Sequence, residues 1–230
     1  MGLQRYIVNF PRLSHGLLLA WRAVPSRVAA GLPGCTQAVA PAIRTCAPGA
    51  RLCGQARTVT PMPGDNSVLL AACGLAEPGE VVVVGGAGLD SVAVAGEWVT
   101  RRCQSRGLGG LVIDGAVRDL PDIRNLGFPV FARGAVPRAP HRSIGGKMDL
   151  PVTVGGVRIS PGDLLIGDDD GIAVVPLIAV EEALRKCQDR MSQDRMAWDA
   201  GTPSVQERRP PLLTALGIPD ANALEGPVPH

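Results

Sequence analysis

Aromatic residues are scarce in this chain, with one tyrosine, three phenylalanines and three tryptophans among 230 residues. A core built from it must rest on aliphatic packing. Long apolar runs are also missing. The longest near the start, Leu17 to Trp21, is too short for a signal-peptide core, and no stretch approaches the length needed to cross a bilayer. Gly2 follows Met1, but Tyr6 breaks the myristoylation pattern. No sign of charge dominates: 23 basic and 21 acidic residues leave a net charge of +2 with no basic stripe, so neither nucleic acid nor membrane is the expected partner. The six cysteines, at 35, 46, 53, 73, 103 and 187, form no C-x-x-C pair and match no zinc spacing. They read as small core hydrophobes in a reducing compartment. These absences predict a soluble, cytoplasmic protein.

What is plentiful is aliphatic residues, glycine and proline: 46% of the chain is hydrophobic, with 29 glycines and 21 prolines marking many short connections. The first 30 residues show weak helical patterning. An alternating strand is predicted over Leu52 to Thr60, then a helix capped by Asn66 and ended by Pro78-Gly79. The unbroken run Val81 to Gly86 predicts a fully buried strand, followed by a helix over 90–106 closed by Gly107. A second buried strand is expected from Leu111 to Asp114, a helical turn at Pro121 to Leu126, and a strand from Phe128 to Arg133. Pro151 to Pro176 reads as hairpins, with turns at Gly155-Gly156, Pro161-Gly162-Asp163 and Asp168 to Gly171. A charged helix over 177–200 carries Leu177, Val180, Leu184, Cys187 and Met191 at helical spacing. The fold class is therefore α/β, an αββα-type sandwich of mixed sheets, with one domain over 1–202 and a Pro-rich tail over 203–230.

Two stretches suggest chemistry. Gly86-Ala87-Gly88 resembles the start of a dinucleotide fingerprint, but Ser91 replaces the third glycine and no acid closes a following strand. A strand-to-helix turn offering amides to a small anion is the better reading. The second stretch pairs Glu97 with Arg118-Asp119, with twenty residues between Glu97 and Arg118. One helix and one strand fill that interval, so the chain goes out and returns to the same sheet edge. Asp168-Asp169-Asp170-Gly171 lacks the calcium-loop pattern and reads as a hairpin turn, and His141 sits in a Pro/Arg loop without a nearby nucleophile motif.

The motifs "GE" at 96–97, "RG" at 106–107, "GGLVIDGAVRD" at 109–119, "GFPVFARG" at 127–134 and "GGVRISPGDLLIGDDDGIAVVP" at 155–176, in this order, resemble the RraA-like family. That family includes class II 4-hydroxy-4-methyl-2-oxoglutarate / 4-carboxy-4-hydroxy-2-oxoadipate aldolases, and the resemblance covers residues 40 to 200. It implies a swivelling β/β/α-like fold and a pyruvate-forming lyase that cleaves 4-hydroxy-2-oxo di- or tricarboxylic acids and decarboxylates oxaloacetate. It implies Mg²⁺ or Mn²⁺ on Asp119, with Glu97 holding metal-bound waters. It further implies that Arg118 grips the pyruvyl group, that Gly96, Glu97, Trp98 and Val99 form the substrate loop, and that the chain assembles as homotrimers or homohexamers. A glutamate from a neighbour's C-terminal helix completes the site in the family. No Glu stands between 183 and 206 here, which leaves Asp194 as the candidate inter-subunit acid. Some members are regulators of an RNA-degrading enzyme, so a non-catalytic regulator is the alternative.

Overall fold

The computed structural model describes residues 2–199 except 7, 33, 143 and 144, so the expected tail over 203–230 lies outside the described residues. The chain divides into two compact units, Met1–Gln188 and Asp189–His230. The strands are β1 (Leu3–Arg5), β2 (Gln37–Ala38), β3 (Arg44–Thr45), β4 (Leu52–Pro61), β5 (Val81–Ala95), β6 (Gly110–Val117), β7 (Val130–Ala135), β8 (Gly146–Met148), β9 (Val152–Val154), β10 (Val157–Ile159), β11 (Leu164–Asp168) and β12 (Gly171–Val175). The helices are α1 (His15–Arg22), α2 (Ser26–Ala30), α3 (Ser67–Leu75), α4 (Glu97–Ser105), α5 (Leu120–Leu126) and α6 (Val180–Asp199). Among the described residues, no helix is long and apolar enough to cross a membrane.

One mixed sheet runs β2-β12-β11-β4-β5-β6-β7-β3, with β8 pairing both β4 and β1. Strands β4 to β7 are mutually parallel, while β11 meets β4 and β12 antiparallel. The parallel strands are covered on both faces, which is why Val81 to Val84 needs no polar alternation. Side chains of a strand point alternately to its two faces. Val82, Val84, Leu111 and Ile113 face one way, into a cluster with Leu69 of α3, Val99 of α4 and Ile123 of α5. Val81, Val83 and Val112 face the other way, against Val152, Val154 and Ile159 of the β9–β10 hairpin and Ile172 of β12. Each such aliphatic side chain contributes about 1.5–3 kcal/mol when fully buried. Helix α2 covers β11 and β12, and α1 packs on β4. The expected mixed α/β fold is thus observed.

Three local expectations change. The helix expected over 90–106 begins only at Glu97, because β5 continues through Ala95 beside β6. Small residues such as Ala93 and Ala95 fit this tightly packed strand, and local helical patterning yields to that pairing. Gly86-Ala87-Gly88 therefore lies within a strand and makes no strand-to-helix turn. Asn66 does occupy the N-cap of α3, but its side chain makes no capping bond and instead donates Nδ2–H to the Val94 carbonyl at 3.0 Å. By contrast, Ser14 caps α1 through Leu17 N–H at 3.2 Å, and Gly127 ends α5 with φ 61°.

Inside the sheet, Arg57 of β4 is 5% exposed. It donates to Glu80 at 2.8 and 3.0 Å and to Asp149 at 2.8 Å. Burial alone would lower its pKa, but the bonds to Glu80 and Asp149 outweigh this and raise it. Arg12 also reaches Glu80, and Arg5 lies 3.5 Å from Asp149, so the N-terminal segment is tied to the same pair of carboxylates.

Candidate active site

Strand β6 delivers Arg118 and Asp119 to one edge of the sheet. Arg118 N–H donates to Ala95 O at 3.0 Å, which extends the β5–β6 pairing one residue past the strand. The backbone then turns left-handed at Asp119, with φ 59° and ψ 41°. For a non-glycine residue that conformation costs roughly 1–2 kcal/mol. It is kept where surrounding contacts over-determine it, as at many functional sites. Asp119 does not cap α5 with its side chain. Its Oδ2 instead accepts Glu97 N–H at 3.2 Å and lies 3.4 Å from Arg118 Nε. The turn therefore joins the ends of two neighbouring strands.

Gly96 is what lets them approach. Its backbone is extended, so conformation does not demand glycine there. Space does: a Cβ at 96 would collide with Asp119 Oδ2, and would sit 2.9 Å from Arg118 Cγ and 3.3 Å from Arg118 Nε. Helix α4 opens directly afterwards, with Thr100 N–H and Oγ–H both donating to Gly96 O at 3.0 and 2.9 Å. Its first-turn amides have no partner within the helix. Glu97 N–H is taken by Asp119, and those of Trp98 and Val99 have no acceptor among the described residues. They stand at the positive end of the helix, where an anion is favoured.

These groups border a cavity of about 530 Å³ lined by Asn66, Gly96, Trp98, Val99, Arg118, Asp119 and Arg142, among others. Arg118 and Asp119 are 42% and 37% exposed, so both are open to a ligand. Val99 is anchored in the core through its side chain, whereas Trp98 is exposed, with the guanidinium groups of Arg102 (5.6 Å) and Arg142 (5.9 Å) over its ring. The loop carrying Arg142 is tied down nearby: Arg138 O accepts Ala93 N–H at 2.9 Å, and His141 exchanges backbone bonds with Gly64 and Asn66. His141 Nε2 also meets Pro63 O at 3.1 Å, which makes it a latch for this loop.

Not every expected residue arrives. The Glu97 carboxylate does not line the cavity; its Oε1 accepts from Arg101 Nε at 2.7 Å. What Glu97 gives the site in this arrangement is its backbone N–H. The Glu97–Arg101 pair is exposed, and such i,i+4 pairs contribute only about 0.3–0.5 kcal/mol, so it opens easily. Asp194 is an exposed residue of α6 in the unit beginning at Asp189. Two wall residues escaped the sequence reading. Asn66 is 3% exposed, and its Oδ1 has no hydrogen-bond partner. Its only signal was its place before a helix. Arg142 looked like one more basic residue of a Pro/Arg loop.

Among the described residues no three His, Cys, Asp or Glu side chains gather into a metal cage. The donor set at the cavity is one carboxylate, Asp119, since that of Glu97 is turned to Arg101. Hard carboxylate oxygens in so small a number suit a cation that keeps most of its waters, which is how Mg²⁺ is commonly held. The residues therefore fit a weakly held Mg²⁺ or Mn²⁺, and they do not fit a fully protein-ligated metal.

Residues 29–174 match the family model "RraA-like: Aldolase/RraA". The chain is 39% identical over 141 residues to a Halalkalibacterium halodurans protein named "Putative 4-hydroxy-4-methyl-2-oxoglutarate aldolase", covering 61% of this chain and 67% of that one. It superimposes on the Streptomyces coelicolor structure of RraAS2, named an unusual member of the RNase ES inhibitor RraA protein family. The TM-score is 0.71 at 29% identity, over 82% of this chain and all of that one. The RNA-processing inhibitor RraA from Thermus thermophilis gives a TM-score of 0.61 at 28% identity, over 66% of this chain and 92% of that one. By the match over residues 29–174, the chain belongs to the RraA-like family.

Proposed function

We propose that the protein is a divalent-metal-dependent lyase that releases pyruvate from 4-hydroxy-2-oxo di- or tricarboxylic acids, of which 4-hydroxy-4-methyl-2-oxoglutarate is the model, and that also decarboxylates oxaloacetate. The observation that carries this reading is the convergence of Arg118, Asp119 and the free first-turn amides of α4 on one open cavity. In the reaction the 4-hydroxyl gives its proton to water in the open cavity, the C3–C4 bond breaks with its electron pair left on the pyruvyl fragment as an enolate, C4 becomes a carbonyl, and the enolate takes a proton from that water at C3. A bound Mg²⁺ or Mn²⁺, held by Asp119 and by water at Glu97, would polarise the 2-oxo group and offset the developing negative charge.

The chain's own residues supply the rest. The amides of Trp98 and Val99 bind the 1-carboxylate at the positive helix end. The planar guanidinium of Arg118 holds that carboxylate and the developing enolate oxygen in one plane. Asn66 Oδ1, the orphan acceptor of the wall, is buried, and a small rotation of its side chain lets it receive the 4-hydroxyl and orient it. Homotrimers or homohexamers, with Asp194 supplied from a neighbour, belong to the same proposal. Two solved relatives carry names of ribonuclease or RNA-processing inhibitors, and they support the competing reading of a non-catalytic regulator. That reading gives the open cavity no role.

A lactate-dehydrogenase-coupled assay for pyruvate, run with and without EDTA, separates the two. Arg118→Lys keeps the charge but loses the fork, so turnover should fall about 10²-fold or more, the scale of one lost oxyanion donor. Asp119→Asn should require much more metal for half-maximal activity. Absence of metal-dependent pyruvate release from both substrate types would reject the lyase and leave the regulator standing.

A further inference from the structure

A second cavity, of about 340 Å³, lies where Arg51 and Leu52 enter β4, Leu108 precedes β6 and Pro129 precedes β7. Gly96 and Arg118 follow the opposite ends of β5 and β6. The length of β6, about 25 Å for its eight residues, separates the two places. One wall is Trp21, the largest fully buried side chain of the described chain. Its indole Nε1–H has no hydrogen-bond partner, although buried donors normally have one. The polar side of the cavity holds the exposed guanidinium groups of Arg22 and Arg51. Among the described residues neither forms a salt bridge, and Asp168 acts on Arg51 only at longer range. Arg51 spends one donor on Val24 O at 3.0 Å. Cys53 adds no negative charge, since burial pushes its thiol up to about 11 despite both arginines. The remaining walls, Leu52, Leu108 and Ile166, are buried and aliphatic.

We propose that this cavity is a binding site for a small organic carboxylate with an apolar body. The polar groups open to it are two guanidinium groups, with the unpartnered Trp21 N–H buried behind the wall, so the complementary head group is an anion. The aliphatic walls accept a hydrocarbon body that inorganic phosphate lacks. A cavity of this size is at the small end of the range for ligand sites and suits a molecule with one ring or a short branched chain. The site is independent of the lyase reading, because it shares no residue with the cavity at Arg118.

The test is calorimetric titration of the full chain with benzoate, with benzamide and inorganic phosphate as comparison ligands. Benzoate should bind at one site per chain, and benzamide and phosphate each at least tenfold more weakly. Arg51→Gln and Arg22→Gln should each weaken benzoate about tenfold, the scale of one charge-assisted hydrogen bond. Trp21→Phe removes the N–H donor together with part of a fully buried ring, so it should weaken benzoate and also lower the melting temperature. Arg118→Lys should leave benzoate affinity unchanged, which separates this site from the candidate active site. No heat at millimolar benzoate, equal binding of benzamide or phosphate, or loss of binding in Arg118→Lys alone would overturn the proposal. The two arginine variants keep it testable if Trp21→Phe fails to fold.

Discussion

Replacing Gly96 with alanine is the sharpest probe of the candidate active site, because the perturbation is one methyl group placed against the two side chains in question. The extended backbone at Gly96 accepts alanine, so the folded state gains no torsional strain. The new Cβ, however, overlaps Asp119 Oδ2 and lies 2.9 Å from Arg118 Cγ. Restoring ordinary contact requires the carboxylate or the guanidinium stem to move by on the order of 1 Å, a displacement that can cost about 10²-fold in rate. The Glu97 N–H bond to Asp119 is the first interaction lost. As a charged but partly exposed bond it is worth about 1.5 kcal/mol, partly offset by the roughly 0.4–1 kcal/mol that Gly→Ala gains from a less flexible unfolded chain. The variant should stay folded, with a melting temperature close to the parent and pyruvate release down about 10²-fold in the coupled assay. Gly74→Ala is the control. It lies in α3, its Cβ would meet only Arg102 Nη2 at 3.6 Å, and it should stabilise by about 0.5–1 kcal/mol without altering turnover. Activity of Gly96→Ala within about threefold of the parent would refute the argument that this crowded corner holds the reacting groups.

Asn66→Ala removes the orphan acceptor. It should lower cleavage of a 4-hydroxy-2-oxo acid about tenfold or more while affecting oxaloacetate decarboxylation less, since that substrate has no 4-hydroxyl; equal losses would reject the role given to Oδ1. Native-state thiol labelling should modify Cys35 first, because the other cysteines are buried, and burial pushes Cys46, Cys53 and Cys187 up to about 11. Rapid labelling of two or more thiols in the folded protein would contradict this. At Asp168, partial burial acts to raise the pKa, but hydrogen bonds from Ser26 and the Asp170 amide outweigh it and lower the value. A lowered carboxyl pKa stabilises the fold above the unfolded value near about 4 and is lost as pH falls through the folded value. Thermal melts from neutral pH downward should therefore show a smaller acid-induced loss for Asp168→Asn than for the parent, and identical pH slopes would count against it.

Most of the fold was legible because its signals are local. The aliphatic runs at 81–84 and 111–113 read as strands covered on both faces, and the Gly/Pro/Asp turns at 155–156, 161–163 and 168–171 delimit the hairpins that the structure shows. The helix expected from residue 90 was misplaced because pairing to β6, a long-range interaction, holds 90–95 extended. At the site, Arg118 and Asp119 could be read from their place after a buried strand. Asn66 and Arg142 could not, since nothing local says that the loop through His141 closes over the start of α3. The rotation of Glu97 toward Arg101 is likewise a choice among side-chain partners that spacing alone leaves open.

The irregular pairing of β5 and β6 has a consequence for how the chain tolerates change in length. Val84 pairs with Ile113 and Ala95 with Val117, so β5 spends eleven steps where β6 spends four, with register shifts in between. Seven residues of slack, eleven minus four, are thus stored between two firmly paired points. An insertion or deletion within that excursion would alter its amplitude while Gly96 kept its height beside Arg118. The chain should therefore accept a longer or shorter excursion here, with new surface near the cavity's rim, without disturbing the phase on which Gly96, Arg118 and Asp119 depend.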